Sequence, residues 1–166
     1  INVPPMLMAF GITTVDASQV ISPELKYEGN KLYLIKHTPE ANYMPNVEQL
    51  KANWNYVHEQ VQEGNIVSGY ALGFGGIAEA ICKMSFGNGL DAKIEYDEKE
   101  LFSYGYGSIL VEAEGELDYP NAILIGEVTD GEESELTING TKIDIFELIA
   151  ANGDKFAQVY PDTNEA

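Results

Sequence analysis

The stretch from Ile66 to Gly89 constrains the fold of this chain more than any other. Ile66 to Leu72 is a run of strand length that enters the glycine cluster Gly73-Phe74-Gly75-Gly76, and a helical pattern then continues until Gly87-Asn88-Gly89. Within that pattern Ile77, Ala80, Ile81 and Met84 fall on one face, while Glu79 and Lys83 form an i,i+4 pair on another. A helix this one-sided needs an apolar surface to lie on, and the strand that leads into it predicts a sheet.

The flanking segments supply the other strands. Met6 to Thr14 is apolar and rich in strand formers, which predicts a buried strand, and Lys31 to Lys36 predicts a second. Ser22-Pro23 can start a short helical turn that Gly29-Asn30 ends, and His37 to Asn46, with two prolines and no periodicity, reads as a loop. Asn46 and Gln49 have the spacing of a capping box for a helix in which Val47, Leu50, Trp54, Val57 and Val61 recur until Gly64. Beyond the glycine unit, Ala92 to Tyr96, Ser108 to Ala113 and Ala122 to Val128 alternate as strands do. Glu135 to Ile138 and Thr141 to Asp144 flank Asn139-Gly140, a strong hairpin signal. Asp144 and Glu147 open a final helix carrying Ile145, Leu148 and Ile149, which Gly153 is expected to close. The expected fold is α+β, a mixed sheet with three helices packed on it. Residues 1–160 form one domain and residues 161–166 a linker.

Charge narrows the partners. The chain of 166 residues has 27 Asp and Glu against 9 basic residues, a net charge of −18, and every basic residue is lysine. Nucleic acids and anionic membranes are bound through clustered Lys and Arg, so a chain this acidic repels both. No apolar run approaches the roughly 20 residues of a membrane helix. The single cysteine, Cys82, allows no internal disulfide and agrees with a reducing, cytoplasmic setting. A start at Ile1, without a signal-peptide pattern, suggests a piece of something longer.

Few residues carry familiar chemistry. There is no nucleophile elbow, and His37, His58 and Cys82 lack metal-ligand spacing, so no catalytic residue and no metal site is assigned. The acidic turn from Asp130 to Glu135 lacks the order of a calcium loop, and Asn139-Gly140-Thr141 is a glycosylation sequon in a tight hairpin. One constellation has a mechanism. Gly73, Gly75 and Gly76 at a helix start can offer backbone N–H groups to an anion, and Gly73-Phe74-Gly75-Gly76-Ile77-Ala78 with Glu95 also resembles a dinucleotide fingerprint. The same glycines can equally serve only a tight strand-to-helix turn.

The order of the blocks VPPMLMAFGITTVDASQVISPELKYEGNKLYLI, SGYALGFGGIAEAICKMSFGNGLDAKI, LFSYGYGSILVEA, AILIGEVT and LTINGTKIDI, from about Val3 to Leu148, resembles a C-terminal domain of the aminoimidazole ribonucleotide synthetase superfamily. More narrowly it is similar to the last such domain in the phosphoribosylformylglycinamidine synthase family. That resemblance implies a ligase of de novo purine synthesis. Such an enzyme uses ATP and Mg2+ to activate the amide oxygen of formylglycinamide ribonucleotide, with ammonia from glutamine as nucleophile. It also implies an N-terminal nucleotide-binding domain and a glutaminase domain on the same polypeptide, and no cofactor in this chain itself.

The chain departs from that pattern where chemistry is expected. Where the family often carries a His-Asp pair and then Asp-Gly-Gly, this sequence has Tyr70, Ala71 and Phe74-Gly75-Gly76, and its Gly-x-Thr and Leu-Gly-Gly-Ser motifs fail to match HTPEANYMPN. The departures imply the structural, non-reacting half of the enzyme. Two other readings remain open: a free-standing acidic binding module with an anion site at the glycine turn, and a dinucleotide-binding oxidoreductase domain. If the domain normally packs on a partner, the apolar segment around Met6, Leu7, Met8 and Phe10 is expected to be uncovered, and a homodimer can form through it.

Overall fold

A computed structural model describes residues 8–131 and 134–159. Its seven strands are β1 (Lys31–Ile35), β2 (Ile66–Ala71), β3 (Asp91–Ile94), β4 (Ile109–Ala113), β5 (Ala122–Thr129), β6 (Glu135–Ile138) and β7 (Thr141–Asp144). They form one sheet in the order β2-β4-β1-β5-β3-β6-β7, antiparallel throughout except where β3 meets β6 in parallel. The helices are α1 (Val47–Gln62), α2 (Gly76–Ser85), α3 (Glu98–Leu101) and α4 (Ile145–Val159). The α+β architecture with a mixed sheet is therefore present as expected.

Alternation along the strands separates two cores. Leu32, Leu34, Leu110, Ile94, Ile125, Val128 and Leu136 point to the face covered by the Ile77, Ala80, Ile81 and Met84 stripe of α2 and by Ile145 of α4. Tyr33, Ile35, Ile66, Val111 and Ala113 point to the other, where Tyr56, Val57 and Val61 of α1 lie. In β5 a one-residue bulge keeps this pattern in phase, because Leu32 pairs with Gly126 and Tyr33 with Leu124, which leaves Ile125 as the extra residue. Ile123 before the bulge, Ile125 in it and Val128 after it thus share a face.

One carboxylate sits inside this framework. Glu112 of β4 is 0% exposed. It accepts hydrogen bonds from the Lys26 and Tyr27 backbone N–H groups at 2.8 and 3.0 Å and from Asn30 Nδ2 at 2.7 Å. No cation pairs with it among the described residues. Three N–H dipoles hold its charge and fasten the segment before β1 across the sheet.

Several expectations are corrected. From Met8 to Thr14 there is no strand and Phe10 is 88% exposed, because the segment joins neither open edge of the sheet, β2 or β7, and so lacks the ladder partner a strand needs; Met6 and Leu7 lie outside the described residues. Ser22-Pro23 starts no helix, and the short 3-10 turn before it, Ala17–Gln19, is capped by Asp16. Trp54 turns outward and Asn53 inward on α1, since Asn53 makes the polar bonds described below. The turn α3, capped by Asp97, is a fourth helix. Helix α4 runs through Gly153 to Val159, as a glycine weakens a helix by only about 1 kcal/mol and no left-handed cap forms there. Residues 161–166 lie outside the described residues.

Candidate functional site

Three loops meet at one end of the sheet: the loop after β1, the glycine turn after β2, and the connection from α3 to β4. Antiparallel pairing of β4 with both β1 and β2 brings these chain ends together. Between them is a cavity of about 820 Å³. His37, Pro39, Tyr43 and Pro45 line it from the first loop, Phe74 from the second, and Phe102, Ser103, Tyr104 and Tyr106 from the third.

The walls are held by backbone and by His37. The Gly105 N–H donates to the Gly73 carbonyl at 3.1 Å, which ties the glycine turn to the tyrosine loop. His37 is buried, with its N–H on Ser108 Oγ at 2.9 Å. Its Nδ1 lies 3.0 Å from the Tyr106 carbonyl, which can only accept, and its Nε2 accepts from the Asn46 N–H at 3.2 Å, so the two partners select the neutral Nδ1–H tautomer. Gly107 has φ +87°, and a Cβ there would stand 2.8 Å from His37 Nδ1, so this close approach admits only glycine.

The capping of α1 joins the same arrangement. Asn46 Oδ1 accepts from the Gln49 N–H at 3.0 Å, as the capping-box spacing predicts, but Gln49 Oε1 accepts from the Thr38 N–H at 2.8 Å and leaves the Asn46 N–H to His37. Deeper in, Asn53 donates to the Lys36 carbonyl at 3.0 Å and accepts from Tyr119 Oη and Asn121 Nδ2, each at 2.8 Å. The ring of Tyr119 stacks on Tyr56 of α1 with centroids 4.1 Å apart.

Inside the walls the rings are exposed. Phe74 and Tyr104 show 71% and 69% of their surface, with centroids 5.0 Å apart, and Tyr104 lies 6.4 Å from Tyr106. A smaller cavity of about 320 Å³ adjoins and reaches Lys36 and Glu100. Lys36 Nζ is 2.7 Å from Glu100 Oε2, and Tyr96 Oη donates to the same oxygen at 3.1 Å. The Lys36 ammonium, and after it the Tyr96 hydroxyl, hold the Glu100 carboxyl below its ordinary value, and the Glu100 carboxylate raises the Lys36 amine. Burial raises the Tyr96 phenol.

The glycine turn is engaged within the fold. Gly75 is the N-cap of α2 and its N–H donates to Glu79 Oε2 at 3.0 Å, while the Gly76 N–H reaches the Gly73 carbonyl at 3.4 Å. An anion at Gly73, Gly75 and Gly76 therefore competes with the carboxylate of Glu79. The left-handed position is Gly76, φ +64°, where a Cβ would collide with the Ser103 carbonyl and stand 2.8 Å from that of Leu101. Gly75 has φ −86°. β2 and β3 run the same way, yet β4, β1 and β5 lie between them, and Glu95, just past β3, faces solvent beside Lys93. A dinucleotide fold needs those strands adjacent, so this topology does not assemble one.

The remaining candidates are dispersed. His58 is an exposed residue of α1 beside Gln62, and burial pushes the Cys82 thiol on α2 up, which disfavours a nucleophilic thiolate. Asn139 of the sequon clamps β3, its Oδ1 accepting from the Tyr96 N–H and its Nδ2 donating to the Tyr96 carbonyl, both at 2.9 Å. Glu132 and Glu133 of the acidic turn lie outside the described residues. Among the described residues no three His, Cys, Asp or Glu side chains are grouped to hold a metal ion. Sequence reasoning located the glycine turn but missed the groove, because its rings come from three separated segments with no shared spacing.

The sequence matches no family model and no curated protein. Solved structures share its fold. The structure of PurLQS from Thermotoga maritima superposes with a TM-score of 0.64 at 13% identity, over 81% of this chain and 28% of that one. Phosphoribosylformylglycinamidine synthase II from the same organism gives 0.63 at 12% identity, again over 81% and 28%. Hydrogenase maturation protein HypE in complex with ATP gives 0.55 at 12% identity, over 75% of this chain and 51% of that one. The likeness expected from the ordered blocks thus holds at the level of fold, and the chain spans little more than a quarter of the synthase chains it resembles.

Proposed function

We propose that this chain is the aminoimidazole ribonucleotide synthetase-like C-terminal domain of a de novo purine-biosynthesis ligase, a cytoplasmic phosphoribosylformylglycinamidine synthase, and that it forms the structural, non-reacting half. One observation carries the second step. Where the resemblance leads one to expect an Asp-Gly-Gly turn, Phe74 stands exposed among tyrosines, and no carboxylate lines the groove around it. Mg2+ is a hard ion that takes oxygen ligands, usually carboxylates and phosphates. A wall of Phe74, Phe102, Tyr104, Tyr106, two prolines and His37 does not fit that ion. Nor does the chain offer an arginine to clamp phosphate.

In this reading ATP turnover and ammonia release belong to the N-terminal nucleotide-binding domain and the glutaminase domain of the same polypeptide. This domain's task is to pack and to shape. Assays of the purified chain for ATP hydrolysis and for glutaminase activity are expected to read background. Turnover that disappears on substituting one residue of this chain would refute the non-reacting assignment. Calorimetry with NAD separates the oxidoreductase alternative, which requires micromolar binding at the glycine turn.

A further inference from the structure

We infer that the aromatic groove is a docking site for an arginine-bearing segment of another polypeptide. This stands on the groove itself and does not depend on the purine-ligase reading. The first observation is charge. In a chain of net charge −18 the residues lining the groove include no Asp, Glu, Lys or Arg. Exposed Glu40 directly follows Pro39 of the lining, and in the adjoining cavity Lys36 is already paired with Glu100 at 2.7 Å. The field over the rings favours a cation, and an acidic partner would be repelled.

The second observation is the rings. Exposed aromatic faces attract cations through their quadrupole, arginine most often among side chains, because its flat guanidinium stacks on a ring and is weakly hydrated. Among the described residues the cation placed over a ring is Lys36, over Tyr96 and outside the groove, so the faces of Phe74, Tyr104 and Tyr106 are free to receive one. This sequence contains no arginine, so the guanidinium has to come from another segment. A cavity of about 820 Å³ exceeds one side chain, which leaves room for apolar neighbours of that arginine.

The third observation is preorganisation. Tyr43 is 91% exposed with φ +62°, a left-handed backbone that costs a non-glycine residue roughly 1 kcal/mol, and the Gly105–Gly73 and His37–Tyr106 bonds fix the opposite walls. A surface whose backbone is fixed before the partner arrives loses less entropy on binding.

The test is a titration of the purified chain with the peptide Ac-Ala-Pro-Arg-Pro-Ala-NH2 and with its counterpart carrying citrulline, the neutral isostere, in place of arginine. Ring resonances of Phe74, Tyr104 and Tyr106 are followed. The arginine peptide is expected to shift all three rings and to bind about fivefold tighter than the citrulline peptide. That advantage should shrink as salt rises from about 20 to about 300 mM. Phe74→Leu, which lies outside both cores, should weaken the arginine peptide by about fivefold and leave the melting temperature unchanged. Equal affinity for the two peptides would overturn the inference in favour of a purely apolar groove. So would shifts confined to residues away from the groove, or no shift with either peptide at millimolar concentration. The comparison of peptides on the unaltered chain decides the matter even if Phe74→Leu fails to fold.

Discussion

Glu112→Gln removes one charge from the middle of the sheet and changes no volume. In the structure Oε1 accepts from Tyr27 N–H and Asn30 Nδ2, and Oε2 accepts from Lys26 N–H alone. Glutamine placed in its better orientation keeps its oxygen on the first pair and turns its NH2 toward the Lys26 N–H, donor against donor. The loss is one hydrogen bond to a charged acceptor, about 1.5–3 kcal/mol, the weakening of two more to neutral strength, and the cost of one buried donor left unmatched, about 1–3 kcal/mol. The sum is a destabilisation of about 3–6 kcal/mol, a large share of the roughly 5–15 kcal/mol that holds a domain together. Glu114→Gln, two residues on and exposed, makes the same change of net charge and should stay within about 0.5 kcal/mol. Urea unfolding followed by circular dichroism measures both midpoints at a common slope. If the two variants unfold together, the three donors do not stabilise the carboxylate and the reasoning fails.

Two further outcomes follow from the same structure. Gly76→Ala forces a side chain into a left-handed position against the Ser103 and Leu101 carbonyls and should cost about 2–4 kcal/mol in chemical denaturation, while Gly73→Ala, with open space around its Cβ, should cost under about 1 kcal/mol. Glu100 has a lowered carboxyl pKa in the folded chain, so its pairing with Lys36 stabilises above the ordinary value of 4.5 and is lost as pH falls through the lower folded value. The raised amine of Lys36 keeps its contribution at pH values below the ordinary 10.5 and loses it as pH rises through the folded value. Thermal melts of wild type and Glu100→Gln should therefore differ at neutral pH and converge under acid; a gap that persists at low pH refutes the ion-pair account.

What the sequence discloses is local. Asn139 and Gly140, with φ of +49° and +80°, form the tight turn that their dipeptide announces, and the α2 stripe lies in the core its spacing assigns. What escapes it depends on partners far along the chain. Nothing near Glu112 marks it as buried, because its donors are Lys26, Tyr27 and Asn30. Ala122 to Val128 reads as one alternating strand, and the bulge at Ile125 shows only in its pairing with β1. Met8 to Thr14 reads as a strand by composition, yet composition does not supply a neighbour to pair with. The groove escapes for the same reason: Tyr43, Phe74 and Tyr104 become one surface only after β1, β2 and β4 have taken their places.

The parallel seam between β3 and β6 has a consequence for how the molecule opens. β6, β7 and α4 are joined to one another by a hairpin and a cap, both short in sequence, whereas they reach the rest through three register pairs, the Asn139 bonds to Ile94 and Tyr96, and the side chains of Leu136, Ile138, Ile145 and Leu148. A unit closed within itself and attached along one narrow line is free to detach as a whole while β4, β1 and β5 stay paired. In native-state hydrogen exchange the amides of β6 and α4 would then exchange together, at a lower free energy than those of Leu110 and Val111. Exchange at the β3 amides that face β6 would follow the departing unit, and the amides of β3 that face β5 would keep the protection of the central strands.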